Sequence, residues 1–120
     1  MKLIDANVIL RYLLADHIEH HNKANEVIEQ GSFTTTEVLA EVVYVLNGIY
    51  KESRSNICKV LTILLEDVHI EHKTMVITSL DIYCYTNLDY IDCVLVARKK
   101  VLGDDVFTFD RKLNIELSKC

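Results

Sequence analysis

Proline is absent from these 120 residues, and glycine occurs only at Gly31, Gly48 and Gly103. Each glycine lies near the end of an apolar helical pattern, where a helix stop is expected, so none belongs to a loop that cradles phosphate. Long apolar runs are missing too: Val42–Leu46 is typical, far short of the roughly 20 residues that a bilayer span needs. The opening Met1-Lys2-Leu3-Ile4-Asp5 lacks the pattern of a secretory signal, so a soluble cytoplasmic protein is expected. Cys58, Cys84, Cys93 and Cys120 are widely spaced with no Cys-x-x-Cys pair, and Cys84 and Cys93 fall in apolar runs. Reduced thiols, in the core or at the surface, are expected rather than disulfides or a zinc site. No repeat, low-complexity stretch or linker interrupts the chain.

Positive charge is also in short supply. Thirteen Lys and Arg face eighteen Asp and Glu, a net charge of −5. No broad phosphate-attracting field surrounds such a protein, so any nucleic-acid binding is local, metal-assisted or shared with a partner. Length and mass, 120 residues and 13.8 kDa, suit one domain over residues 1–120.

Periodicity then divides the chain. Met1–Ile4 reads as a short buried strand, and Ala6–Leu14 carries apolar residues at helical spacing. Residues 17–30 suit a more polar helix closed by Gly31, and Ser32–Thr35 a second strand. Thr34 to Glu37 has capping-box spacing and opens a helix running to Asn47. Further helices fit 54–66, 73–86 and 89–102; Val68–Glu71 and Val106–Phe109 alternate like strands, and Arg111–Ser118 closes the chain as a short helix. Strands joined through helices require crossover connections. The expected fold class is α/β, with a mostly parallel four- or five-stranded sheet flanked by helices on both faces. Ligands of such sheets bind beyond the carboxyl ends of the strands, especially where strand order reverses.

Most acids have a local explanation, but four resist it to differing degrees. Glu41 lies within Val38-Leu39-Ala40-Glu41-Val42-Val43, its i+3 and i+4 neighbours are Tyr44 and Val45, and its i−4 neighbour is Glu37, a like charge. Asp92 lies within Tyr90-Ile91-Asp92-Cys93-Val94-Leu95, with Leu95 and Val96 at i+3 and i+4. An ionised carboxylate on an apolar helix face must find a distant partner, shift its pKa upward or bind a cation. Asp5 and Asp110 follow the strand patterns at Ile4 and Phe109, where aspartate also makes a good helix N-cap. All four acids occupy strand ends or the opening turns of helices, places that can converge at one sheet edge. Gathered there they need a counter-ion, and oxygen-only ligands suit Mg²⁺ or Mn²⁺.

Four segments, Met1–Leu14 (MKLIDANVILRYLL), Thr34–Leu46 (TTTEVLAEVVYVL), Asp89–Ala97 (DYIDCVLVA) and Gly103–Leu113 (GDDVFTFDRKL), resemble the PIN-domain nucleases, especially the small single-domain VapC-type toxins. The likeness spans almost the whole chain and rests on the ordered set more than on any one segment. It implies a sandwich-like α/β fold and Mg²⁺- or Mn²⁺-dependent cleavage of RNA. It matches Asp5, Glu41, Asp92 and Asp110 to the family's four acids, and Thr108 to the hydroxyl residue before the fourth. Cys93 stands where the family often has alanine, which removes no ligand. The resemblance further implies an antitoxin partner and self-pairing as a homodimer.

On this reading, a metal-activated water hydrolyses a phosphodiester by in-line displacement. Asp5, Glu41 and Asp92 are expected as inner ligands and Asp110 as an outer or second-metal ligand. Asn7 and Thr108 are expected to orient carboxylates by hydrogen bonds. The RNA-contacting residues are not legible. Three alternatives stand beside it: an RNA-processing PIN nuclease without an antitoxin, a metal-free interaction module, and a phosphorylation-receiver domain. The last needs a paired acid after the first strand, whereas Asp5 is followed by Ala6 and Asn7. His17, His20 and His21 form an H-x-x-H-H run whose i, i+4 pair, His17 and His21, could grip zinc on a helix, but no cysteine or acid pattern completes such a site.

Overall fold

The computed structural model describes residues 1–120, which divide into two compact units, Met1–Glu71 and His72–Cys120. In the first unit, strands β1 (Lys2–Leu3), β2 (Ser32–Thr34) and β3 (Val68–Ile70) form a parallel sheet in that spatial order. Helices α1 (Ala6–Leu14) and α2 (Ile18–Glu29) connect β1 to β2, and α3 (Thr36–Gly48) and α4 (Arg54–Leu64) connect β2 to β3. The α/β class is as expected from the alternation of patterns.

Register explains which sheet face is buried. Lys2, Ser32 and Val68 form one row and Leu3, Phe33 and His69 the next. Ser32, Thr34 and Val68 are buried, as is Ile4, the residue after β1, whereas Leu3, Phe33 and His69 are exposed. One face therefore joins the core with Ile9, Leu39, Val42, Ile57 and Leu61, and the other carries the exposed Leu3, Phe33 and His69. The end of β1 is pinned twice: Ile4 N–H donates to the Phe33 carbonyl at 2.9 Å, and Thr34 Oγ1 donates to the Ile4 carbonyl at 3.2 Å.

That second bond corrects the expected capping box. Thr34 spends its hydroxyl on Ile4, so Thr35 caps α3 instead, its Oγ1 accepting from Val38 N–H at 3.2 Å. Glu37 then falls one place too early to reach back to the cap. Gly31, at φ +96°, follows α2 in a conformation that any side chain would strain, which bears out its reading as a helix stop.

The second unit contains α5 (Lys73–Tyr85), α6 (Tyr90–Ala97) with a π-helical turn at Arg98–Leu102, and α7 (Arg111–Leu117). The helix expected over 89–102 thus changes its winding at Arg98, and Gly103 at φ +77° stops it. Its α6 portion packs on α5 and α7. Tyr90 anchors the first turn of α6: its hydroxyl shares a 2.7 Å hydrogen bond with Ser79 Oγ, and its ring meets Tyr83 edge-on at 5.9 Å. Burial pushes the Tyr90 phenol up to about 12, with the Ser79 bond opposing, so this anchor stays neutral across the physiological range.

Two further expectations are corrected here. Val106–Phe109 is extended in its alternating burial but pairs with no strand, so the sheet has three strands, not four or five, and shows no reversal of order. An alternating pattern marks a possible strand; without a neighbouring ladder its backbone stays irregular. Of the four free cysteines, Cys93 is buried as expected, but Cys84 lies on the exposed side of α5. An apolar run in sequence is not an apolar face of a helix.

Candidate active site

In the first unit, the chain leaves β1 at Ile4 and turns directly into α1, with Asp5 at the junction. Asp5 Oδ1 accepts from Val8 N–H at 3.1 Å, which is the N-cap arrangement, and the residue is exposed. The cap occupies one carboxylate oxygen and leaves Oδ2 free. A cap and a ligand are therefore compatible roles for this side chain. Asn7, expected to orient a carboxylate, forms no hydrogen bond to Asp5. It lines an open groove of about 210 Å³ between α1 and α2, with Arg11, His20 and Lys23.

Glu41 departs from expectation. The buried positions of α3 are Leu39, Val42, Val43 and Leu46, which leaves Glu37, Glu41 and Tyr44 on the solvent side. Its apolar sequence neighbours point elsewhere, so Glu41 pays no desolvation cost, and it has no ion pair. It is a free, exposed carboxylate in the second turn of a helix that leaves the carboxyl end of β2.

The acids of the second unit behave differently. Asp92 is partly buried in the first turn of α6, and burial pushes its carboxyl above the usual range, helped by the negative charges of Asp89 and Asp110. Asp110 caps α7, its Oδ1 accepting from Leu113 N–H at 3.0 Å, again with the second oxygen free. Thr108 acts on backbone rather than on a carboxylate: its Oγ1 accepts from Asp110 N–H at 3.0 Å, and its carbonyl accepts from Asn114 Nδ2 at 3.0 Å. These bonds set the angle at which Asp110 enters α7.

Asp89 is the residue that sequence reading passed over. It precedes α6 without capping it by a side-chain bond, and it adds to the field at Asp92. The signal was present as a like charge three places before Asp92, the i,i+3 spacing that brings side chains together on a helix.

Asp89 and Asp110 thus both add negative charge at Asp92, while Asp5 and Glu41 belong to the other unit. No three His, Cys, Asp or Glu side chains lie close enough to hold one ion among them. The donor chemistry nevertheless suits a hard cation. Mg²⁺ is commonly held by one or two carboxylates, waters and substrate phosphate rather than by a complete protein cage. Asp92 and Asp110 are carboxylates whose proximity is uncompensated, the condition that a divalent cation relieves. His17, by contrast, is spent as the cap of α2, its Nδ1 accepting from His20 N–H at 3.2 Å, and His21 Nδ1 bonds the Arg11 carbonyl.

Comparison with known proteins extends the reading to the whole chain. The VapC ribonuclease of Aquifex aeolicus (strain VF5) is 28% identical, over 93% of this chain and 89% of its own length. No solved structure matches. The PIN domain family matches residues 2–115, a span that includes all four acids and both units. By that match, the chain belongs to the PIN domain family.

Proposed function

We propose that this protein is a Mg²⁺- or Mn²⁺-dependent endoribonuclease that hydrolyses RNA phosphodiester bonds, and that it is the toxin of a toxin–antitoxin pair. On this reading Asp5, Glu41 and Asp92 would hold the metal, with Asp110 as an outer or second-metal ligand. The observation that supports this most is the state of Asp92: a partly buried carboxylate, crowded by Asp89 and Asp110, with no ion pair of its own. Structural acids in stable domains are ordinarily paired or capped. Family membership and the likeness to a VapC ribonuclease favour RNA as substrate and an antitoxin as partner.

Bound at these carboxylates, a divalent cation would lower the pKa of its water and offset charge on the phosphate. The protein's own contribution is placement. Asp5 and Asp110 are fixed by their cap bonds, each presenting one free oxygen. Asp92 is held by the Tyr90–Ser79 anchor one turn's start away. Glu41 stands exposed on α3, where no ion pair competes for its carboxylate. Self-pairing draws support from apolar side chains left in water at the end of α3, where Tyr44 is 75% and Ile49 67% exposed.

The test is Asp5→Asn. Asparagine caps a helix as well as aspartate does, so α1 and the fold persist. RNA cleavage in Mn²⁺ is expected to disappear while thermal unfolding is unchanged. An Asp5→Asn protein that cuts RNA at the wild-type rate refutes the assignment.

A further inference from the structure

Two of the three phenylalanines in the chain are almost wholly in water: Phe107 is 83% and Phe109 92% exposed. They stand edge to face, with centroids 5.1 Å apart and planes at 82°, in the segment immediately before Asp110. The segment between them is tied down. Thr108 is bonded through its hydroxyl to the Asp110 N–H and through its carbonyl to Asn114 on α7. The rings are thus displayed from a braced backbone at the start of α7, and Asp110, Arg111 and Lys112 follow at once, all exposed.

Exposing two aromatic rings is unfavourable unless something covers them at work. We propose that Phe107 and Phe109 form a stacking corner for one nucleobase of a single-stranded RNA, next to the scissile phosphate; this rests on the ribonuclease reading above. Perpendicular rings make a notch in which a flat base lies face-on to one ring and meets the other with its edge. Arg111 and Lys112 offer unpaired cations to the neighbouring phosphates. Two rings followed by two cations beside an acid centre are the local, small-scale basic feature that an acidic protein needs to hold RNA.

A second copy of the chain fits the corner less well. Two phenylalanines provide roughly 300–500 Å², against about 800 Å² that each partner contributes to a stable interface. The flanking Asp105, Asp110, Arg111 and Lys112 are also charged and exposed, whereas interface centres are depleted of charge. Stacking needs no base-specific hydrogen bond, so the corner selects single-strandedness rather than sequence.

The experiment compares wild type, Phe107→Leu/Phe109→Leu and Phe107→Tyr/Phe109→Tyr. Binding of a fluorescent single-stranded RNA is followed by anisotropy without divalent metal, where no hydrolysis occurs, and cleavage is followed separately in Mn²⁺. The leucine pair is expected to weaken binding and raise KM about tenfold or more, with kcat little changed, and the tyrosine pair to restore both. An abasic position walked along the RNA is expected to cost wild type affinity at one place, and to cost the leucine pair nothing there. Equal affinity of wild type and leucine pair overturns the proposal. So does a leucine pair that binds RNA normally but changes from dimer to monomer in light scattering, which assigns the corner to a second copy. Absence of cleavage by wild type in Mn²⁺ removes the ribonuclease reading instead, while the binding arm still decides the corner.

Discussion

Glu41 on α3 and Asp92 on α6 look alike in sequence and differ in the structure. Each sits inside an apolar run, without a cation at i+3 or i+4. The buried stripe of α3 passes through Leu39, Val42, Val43 and Leu46 and misses Glu41, which is exposed. On α6 the buried set is Tyr90, Cys93, Val94, Val96 and Ala97, a broader face that partly covers Asp92, and Asp89 and Asp110 add like charge. The lesson is that a run of apolar neighbours states how much of a helix is buried, not which of its polar residues is buried with it. One acid is available because water already holds it; the other is available because nothing else does.

Mutation can break that contrast or sharpen it. The largest effect is expected where the two acids agree: Glu41→Gln and Asp92→Asn should each abolish Mn²⁺-dependent RNA cleavage. A variant of either that retains wild-type kcat separates the pair and removes that residue from the metal set. A middle-sized effect is expected at Asp110, which carries both a cap and a proposed ligand. Asp110→Ala should lose about 0.5–2 kcal/mol of stability in urea unfolding, and Asp110→Asn very little, while both lose activity. Equal stability of the two variants means that the cap bond to Leu113 does not hold α7.

The smallest effect concerns stability and pH. Because the folded Asp92 carboxyl lies above its unfolded value, the folded state holds its proton longer, and stability falls as pH rises through that window just above the ordinary carboxylate range. Below the unfolded value the penalty is absent; above the folded value it is complete. Asp92→Asn should therefore gain stability at neutral pH, by less than about 1 kcal/mol because the side chain is only partly covered, and should flatten the pH dependence. Glu41→Gln, at an exposed position, should leave stability at neutral pH unchanged. A loss of stability in Asp92→Asn contradicts the crowded-carboxylate picture.

Much of the fold was legible because local signals agreed with the outcome. The first two helices, the stops at Gly31 and Gly103, and the three paired strands follow from periodicity and punctuation. What was not legible depended on partners distant in sequence. Which of three consecutive threonines caps α3 is decided by the Ile4 carbonyl, thirty residues earlier, which takes the Thr34 hydroxyl. Whether Val106–Phe109 becomes a strand depends on a neighbouring ladder that local alternation cannot supply. The candidate site divides in the same way. Asp5 and Asp110 were recognisable from their junctions, and their cap bonds are as a junction acid requires. The solvation of Glu41 depends on a helix rotation that only packing sets, and the part played by Asp89 depends on fields from two turns of chain.

Central to the proposed function is a divalent cation shared by carboxylates from distant parts of the chain. A crystal soaked in Mn²⁺ and measured at the manganese edge tests it most directly. The expected result is an anomalous peak held by oxygens of Asp5, Glu41 and Asp92, with Asp110 at or just outside its coordination shell, and no peak at that place in Asp5→Asn. Crystals that show no such peak at saturating Mn²⁺, or that show manganese only at acids outside this set, contradict it.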